Sequence, residues 1–265
     1  MDGKTPVHLN SCIVGCCGWT KAQAKYVQTF SAIEIQATFY QPPVDVVARR
    51  WKAIAPAGFR FCMKAWQLIT HTPSSPTYRR LKSGVSDSEK DLYGSFRPTE
   101  QVTLAWERTR EIATILDACV VVFQCPASFL PTRENIHNLS TFFQNIDRDG
   151  RVLAWEPRGS EWSDETIRDL CAANDLVHCV DPLDRDSVYG ESVYWRLHGR
   201  GSYRYRYTDQ DLTEISGQLQ RHAVPGPRYV MFNNMSSMED ALRFREISRL
   251  KPVGRRKRLP HNGAD

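Results

Sequence analysis

Six short apolar segments of this chain end on a polar or charged side chain. They cover residues 32–36, 59–64, 120–124, 152–156, 193–198 and 229–234. Side chains alternate between the two faces of a strand, so each segment has one bulky apolar face and one face that carries the polar group. Parallel strands that are covered on both faces usually have continuous apolar sequences. Six strands that instead end on a polar side chain indicate a shared, solvent-accessible site at the strand ends.

The alternation of these segments with helical patterns indicates the fold class. Strands are predicted near residues 12–15, 33–36, 60–64, 120–124, 152–156, 176–180, 194–197 and 229–232. Eight strand-helix units in about 250 residues are typical of the closed eightfold barrel. We therefore predict an α/β fold, a single-domain, eight-stranded parallel (β/α) TIM barrel over residues 1–254. Residues 72–102 are too many for a plain connection, and they are predicted to form an excursion or lid over the barrel mouth.

The net charge of +5 is concentrated near one end of the chain. Residues 243–258 hold eight Lys or Arg and one Glu, a local charge of +7, which leaves the rest of the chain at −2. Residues 255–265 are predicted to be a basic, disordered tail. No apolar run reaches 18 residues and the eight cysteines lack paired spacing, so we expect a cytoplasmic protein with no membrane partner.

Several motifs, taken together and in order, resemble the YecE-like family, the seventy-second domain-of-unknown-function family. The resemblance covers residues 13–250 and implies a (β/α) barrel with no established activity. Its motifs are Gly15-Cys16-Cys17-Gly18-Trp19, Glu34-Ile35-Gln36-Ala37-Thr38-Phe39-Tyr40, Phe61-Cys62-Met63-Lys64 with Ile69-Thr70-His71, Phe123-Gln124-Cys125-Pro126, Glu156-Pro157-Arg158, Trp195-Arg196-Leu197-His198-Gly199 and Phe232-Asn233-Asn234.

The barrel geometry predicts that the candidate site lies at the strand ends. In this fold the functional groups lie at the carboxyl ends of the strands and on the loops that follow them. The candidate catalytic residues are Glu156, Lys64, His198 and Glu34. The candidate substrate-binding residues are Trp19, Gln36, Tyr40, His71, Gln124, Arg158, Asp181, Arg196, Asn233 and Asn234. Any one of them could instead make a structural hydrogen bond, but burying so many polar groups without a ligand or water would be costly.

Two carboxylates and a lysine dominate the candidate chemistry. Glu156 and Glu34 are candidate general bases, whose pKa depends on whether burial or a neighbouring cation has the larger effect. Lys64 is predicted to be a charge partner for the substrate, with a Schiff-base lysine as the alternative. We expect Glu156→Gln and Arg196→Ala to leave the fold intact and to abolish ligand binding or turnover.

The arginines favour an anionic substrate. The planar guanidinium groups of Arg158 and Arg196 suit a carboxylate or a phosphate. His198 and the loop Gly199-Arg200-Gly201 follow the seventh strand, where such barrels often hold a phosphate. We predict that a small anionic molecule, such as a phosphorylated one, occupies the mouth.

No cofactor and no metal ligands are predicted. Glu156, Asp181, His71 and His198 could supply ligands to a divalent metal, but the sequence lacks the spacing of known histidine metal motifs. No Gly-rich phosphate loop of the common kinds is present, which argues against a nucleotide cofactor.

We predict an enzyme that uses acid-base chemistry at the barrel mouth, with hydrolase, lyase and isomerase classes left open. The alternative is a nucleic-acid-binding protein or a phosphodiesterase or endonuclease-like barrel. Its support is the loop Tyr203-Arg204-Tyr205-Arg206-Tyr207, which interleaves Arg204 and Arg206 with aromatic rings, and the basic run at residues 255–258. A barrel that senses a metabolite would use the same mouth residues.

Overall fold

Eight parallel strands pair in chain order and close into a barrel, with the last strand paired to the first. The computed structural model describes residues 12–82 and 84–249, without the side chain of residue 249. The strands are β1 (Cys12–Cys17), β2 (Ala32–Ile35), β3 (Arg60–Lys64), β4 (Ala118–Gln124), β5 (Val152–Glu156), β6 (Val177–Val180), β7 (Val193–Leu197) and β8 (Arg228–Phe232). The predicted eight-stranded TIM barrel is confirmed.

Helices lie on the outside of the barrel, and among the described connections between strands only that from β6 to β7 has none. Within the described residues they are α1 (Gln23–Val27), α2 (Ala37–Tyr40), α3 (Asp45–Ile54), α4 (Gln67–Thr70), α5 (Glu100–Leu116), α6 (Arg133–Asn145), α7 (Asp164–Ala173), α8 (Asp209–Arg221) and α9 (Ser237–Arg249). Hydroxyl side chains at the N-caps of α5, α6, α7 and α8 accept hydrogen bonds from first-turn N–H groups, which would otherwise lack partners. At α7 this hydroxyl is that of Ser163, which accepts a hydrogen bond from the N–H of Thr166 at 3.1 Å.

Alternate residues of each strand point to opposite sides of the sheet, so the apolar side chains form two separate layers. A small cluster fills the barrel interior, and a larger cluster lies between the strands and the helices. The interior cluster is Ile13, Ala32, Cys62, Val120, Val122, Ala154, Val177, Cys179, Tyr194, Tyr229 and Met231. Because side chains alternate, the next inward position on each strand lies toward the carboxyl end, at the barrel mouth.

The excursion after β3 has two parts with different surroundings. Two 3-10 helices, Pro76–Arg80 and Asp87–Leu92, occupy its first part. Its second part packs on the barrel wall, where the ring of Phe96 is fully buried between Phe129 and Phe143. Gly94 makes this docking possible, because a Cβ atom there would lie 2.2 Å from the carbonyl oxygen of His71.

Some element bounds differ from the predicted ones. Strand β1 runs to Cys17 and strand β4 begins at Ala118, each two residues beyond its predicted bound. Helix α5 begins at Glu100, because Thr99 caps it by accepting a hydrogen bond from the N–H of Val102. No helix in the described part of the chain is long and apolar enough to cross a membrane. The predicted basic tail at residues 255–265 lies outside the described residues.

Candidate functional site

Polar side chains from five strands meet inside the carboxyl end of the barrel. They are Glu34, Lys64, Gln124, Glu156 and Arg196, from β2, β3, β4, β5 and β7. Each follows, by two positions, an apolar residue of the barrel interior, so the strand parity that builds the core also turns these groups inward. The predicted convergence of these strand ends is what the structure shows.

Arg196 lies at the centre of this group and is 1% exposed. Its Nε donates to Glu34 Oε2 at 3.0 Å, and its Nη2 lies 3.0 Å from Glu34 Oε1. Its Nη1 bonds both Glu156 Oε2 and, at 3.2 Å, Gln124 Oε1. Both of its carboxylate partners are buried, so Arg196 is a structural member of a buried charge network as well as part of the mouth.

Glu34 has no free oxygen in this network. Besides Arg196, its Oε2 accepts a hydrogen bond from the hydroxyl of Tyr194 at 2.9 Å, and its Oε1 accepts one from Gln36 Nε2. Each of its two oxygens therefore accepts at least two hydrogen bonds from neighbouring side chains. The predicted role of Glu34 as a general base is therefore not supported by its surroundings.

Glu156 is paired on both oxygens. Oε2 pairs with Arg196, and Oε1 accepts hydrogen bonds from Arg158 Nη2 at 3.0 Å and Nε at 3.1 Å. Burial by itself would raise the pKa of Glu156, but Arg196 and Arg158 outweigh burial and lower its pKa to about 2. A carboxylate with such a low pKa is a weak base at neutral pH, so the predicted general-base role of Glu156 does not fit its pKa.

Lys64 is a buried mouth cation without a carboxylate partner among the described residues. Its side chain is 4% exposed, and no acidic side chain of the described residues lies within 4 Å of its Nζ. The Nζ donates to Gln124 Oε1 at 2.8 Å and lies 3.7 Å from the centre of the Phe39 ring. Burial, with a smaller contribution from Arg196, lowers the pKa of Lys64 to about 7.

An aromatic wall flanks Lys64. The ring of Phe39 contacts the rings of Tyr40 and His71 edge to face, at centroid distances of 5.0 and 4.9 Å. His71 Nδ1 lies 2.8 Å from the hydroxyl of Thr70, and burial, aided by Lys64, lowers the pKa of His71 to about 3. His71 is therefore neutral at neutral pH. The guanidinium group of Arg80, from the excursion, stacks 3.5 Å from the ring centre of Tyr40.

These groups line one open cavity of about 640 Å³ at the mouth. Four of the lining residues are basic, and none of the described lining residues is acidic. The lining includes these predicted site residues: Trp19, Gln36, Tyr40, Lys64, His71, Gln124, Arg158, Arg196 and Asn233. The carboxylates of Glu34 and Glu156 lie behind this surface, in contact with Arg196.

Asp181 and His198 lie in a second cavity beside the mouth, of about 580 Å³, which also contacts Glu156 and Arg158. Asp181 Oδ2 accepts a hydrogen bond from the backbone N–H of His198 at 2.7 Å and lies 3.5 Å from its Nδ1. His198 Nε2 lies 3.2 Å from Arg158 Nη2. The predicted site is therefore divided into two compartments, with Arg158 and Glu156 between them.

Asn233 and Asn234 do not share a role. Asn233 lines the mouth, as predicted. Asn234, the next residue, faces the other way, because consecutive residues of an extended segment alternate sides. Its Nδ2 donates to the carbonyl oxygen of Tyr205 and to Asp240 Oδ2, both at 2.8 Å. The assignment of Asn234 to the substrate site is corrected: it anchors the loop after β7.

The loop after β7 does not present a row of aromatic rings. The hydroxyl of Tyr207 is buried and accepts a hydrogen bond from the N–H of Gly199, and the hydroxyl of Tyr205 donates to Asp211. Arg206 pairs with Glu239 at 2.7 Å. Of the three tyrosines, only Tyr203 is exposed, at 58%, and it borders the mouth cavity.

The predicted phosphate position at Gly199-Arg200-Gly201 is already occupied by protein contacts. The N–H of Gly199 bonds Tyr207, as described above. Arg200 Nε pairs with Asp211 Oδ1 and its Nη2 with Glu214 Oε2, both at 2.9 Å. The expectation of an anion at this loop is corrected, because the N–H of Gly199 bonds Tyr207 and the side chain of Arg200 pairs with two carboxylates of helix α8.

The residues proposed as metal ligands do not converge. Among residues 12–82 and 84–249, no group of three or more His, Cys, Asp or Glu side chains is arranged to hold a metal ion. Glu156 is paired with two arginines, and His71 lines the mouth while Asp181 lies in the second cavity. The expectation that the protein uses no metal stays a prediction.

Four residues that line the mouth or bond its network are absent from the predicted site: Arg80, Phe39, Cys17 and Tyr194. Tyr194 and Cys17 have the inward parity of their strands, so the pattern that revealed Arg196 could have revealed them. Phe39 lies in the short helix α2 directly after β2. Nothing in the sequence around Arg80 indicates that a 3-10 helix of the excursion brings it to the mouth.

A family profile described as "Protein of unknown function DUF72" matches residues 13–263. The chain belongs to the DUF72 family. No curated protein matches it significantly.

Solved structures agree with this assignment. A DUF72 family protein from Thermotoga maritima is 18% identical, covers 90% of this chain and 99% of its own, and superposes with a TM-score of 0.67. A DUF72 family protein from Enterococcus faecalis is 18% identical, with coverages of 92% and 100% and a TM-score of 0.66. A D-psicose 3-epimerase is 13% identical, with coverages of 89% and 96% and a TM-score of 0.52. At these identities the likeness is one of fold.

Proposed function

We propose that this DUF72 protein is an enzyme that uses acid-base chemistry on a small anionic substrate held in the barrel mouth. The observation that carries the proposal is the state of Lys64. It is buried, lines the mouth, lacks a carboxylate partner among the described residues and has a pKa of about 7. A group whose pKa lies near the working pH can both take and give a proton efficiently.

The charges around the mouth support an anionic substrate. Glu34 and Glu156 are balanced by Arg196 and Arg158, so these four side chains sum to zero charge. Arg80 adds an uncompensated positive charge at the rim, since none of the described acidic groups pairs with it, and Lys64 adds a partial one. A concave cleft with low-dielectric walls concentrates such a potential.

The roles divide between fixed and titrating groups. Glu34, Glu156 and Arg196 form a hydrogen-bonded network in which the pKa of Glu156 is lowered to about 2 and that of Arg196 is raised, so these two groups keep their charges near neutral pH. Burial and, to a smaller extent, Arg196 lower the pKa of Lys64, and they outweigh Glu156 and Glu34, which raise it. Lys64 is therefore the proton-transfer group of the proposed reaction, and Arg80 and Arg158 are its anion-binding groups.

Binding of small anions tests the proposal. We expect phosphate, sulfate and glycerol 3-phosphate to raise the melting temperature, whereas glycerol and glucose do not. A ligand at about 100 times its Kd stabilises the folded state by about 2.7 kcal/mol. Arg80→Ala should weaken binding by about tenfold, or about 1.4 kcal/mol. Arg79→Ala is the matched control, because it removes the same charge from the same 3-10 helix outside the mouth lining.

Two outcomes would contradict this proposal. Equal weakening by Arg79→Ala and Arg80→Ala would mean that the anions respond to general surface charge. The nucleic-acid alternative would be favoured if the protein bound single-stranded DNA tightly and if Arg204→Ala and Arg206→Ala weakened that binding. Two of the loop's three tyrosines are bonded within the fold and Arg206 has a carboxylate partner, so we rank that alternative second.

A further inference from the structure

We propose that Lys64 forms an imine with the carbonyl carbon of an anionic aldehyde or ketone. This inference rests on the proposed function, from which it takes the anionic substrate, and it adds the substrate's reactive group. The mouth would accept molecules that carry a carbonyl group together with a phosphate or a carboxylate. Lys64 would then be a catalytic residue that bonds covalently to substrate.

The surroundings of Lys64 favour a nucleophilic amine. Its Nζ donates to an amide oxygen, Gln124 Oε1, at 2.8 Å, where a carboxylate at the same position would hold the ammonium form. The other close contact is the face of Phe39, at 3.7 Å. A lysine desolvated against an apolar surface and beside another cation loses its proton readily, and the lowered pKa described above agrees with this.

A lysine that only held the substrate's charge would need different surroundings. Such a group works best fully protonated, yet this site places Lys64 in the same network as the permanently charged Arg196 and leaves it without a carboxylate. Arg80 and Arg158 line the same cavity and supply permanent positive charge for the anionic group. Because the two arginines bind the anionic group, the amine of Lys64 is free to form a bond with the substrate.

The proposed step balances without a further reagent. The Nζ lone pair attacks the carbonyl carbon, forming a C–N bond while the C=O π electrons move to oxygen. The two amine protons pass to that oxygen, which leaves as water while the nitrogen lone pair forms the C=N bond. One amine and one carbonyl give one imine and one water, and nothing is oxidised or reduced.

Reductive trapping tests the inference. The protein is incubated with sodium cyanoborohydride and one of four probes: dihydroxyacetone phosphate, pyruvate, neutral dihydroxyacetone, or glycerol 3-phosphate, which has no carbonyl. Intact mass and peptide mapping locate the adduct. We expect the two anionic carbonyl probes to label Lys64 at least tenfold faster than Lys52 and Lys90, whose side chains are about half exposed and serve as internal controls.

Two variants make the experiment decisive. Lys64→Arg keeps the positive charge and should remove the adduct. Gln124→Glu places a carboxylate beside Nζ and should slow trapping at pH 7 at least tenfold, with recovery at higher pH, because it favours the ammonium form. A purely structural role of Gln124 would not give this pH-dependent recovery.

The outcomes separate the two proposals. Binding of glycerol 3-phosphate without any Lys64 adduct from the carbonyl probes would overturn the imine and leave the proposed function standing. Absence of binding by every anionic probe would overturn both. Equal labelling by neutral dihydroxyacetone and its phosphate would contradict the anionic part of the inference, and equal labelling of Lys64, Lys52 and Lys90 would overturn the imine.

Discussion

Arg196→Ala is expected to lower the free energy of unfolding by about 3 to 5 kcal/mol, the usual result of removing one partner from a buried ion pair. The substitution leaves Glu34, which is fully buried, without a cationic partner, and it leaves Arg158 as the arginine that still pairs with Glu156. Chemical denaturation at pH 7 measures the change.

Arg158→Ala is the control for this prediction. The side chain of Arg158 pairs with the same Glu156 but is 41% exposed, so we expect its loss to lower stability by about 1 kcal/mol or less. A loss below about 1 kcal/mol for Arg196→Ala as well would mean that the buried network is not formed in solution. This expectation replaces the sequence-based one, in which Arg196→Ala leaves the fold intact.

Lys64→Met is expected to stabilise the protein at pH 6 by a few kcal/mol, at about 1.4 kcal/mol per unit of pKa difference. The pKa of Lys64 is about 7 in the folded state, against an ordinary value of 10.5. Below pH 7 the folded state bears the full cost of burying the ammonium group. Between pH 7 and 10.5 the unfolded chain binds more protons, so the stability of the unsubstituted protein rises with pH.

The difference in free energy of unfolding between Lys64→Met and the unsubstituted protein should therefore shrink as the pH rises from 7 to 10.5. Denaturation at pH 6, 7.5 and 9.5 gives the comparison, and effects of other titrating groups cancel in the difference. Lys52→Met is the matched control, because Lys52 is partly exposed and pairs with Asp117 at 3.1 Å. If Lys64→Met changed the free energy of unfolding by the same amount at all three pH values, Lys64 would have to keep its charge over this whole range.

The barrel could be predicted because its signal is local. The alternation of apolar and polar residues is visible within each strand segment. The sequence therefore predicts that the side chains of Glu34, Lys64 and Arg196 point into the barrel. Helix bounds were less certain, as at Thr99, because capping depends on which hydroxyl meets which N–H group.

The pairing within the site could not be predicted in the same way. Arg196 contacts Glu34 across the barrel, on a strand that is not its neighbour, and nothing in either segment indicates which of several facing groups will pair. The competition between burial and charge at Glu156 depends on the same distances. Arg80 reaches the mouth only because the excursion folds back, and Asn234 turns away because its neighbour Asn233 faces inward.

The titration of Lys64 tests the central claim most directly. Protein labelled with ¹³C at the lysine ε-carbon gives one signal for each lysine, and the signal missing from Lys64→Arg identifies Lys64. We predict that its chemical shift titrates with a midpoint near pH 7, well below the ordinary lysine value of 10.5. A midpoint for Lys64 near that ordinary value would contradict both the proton-transfer role and the imine.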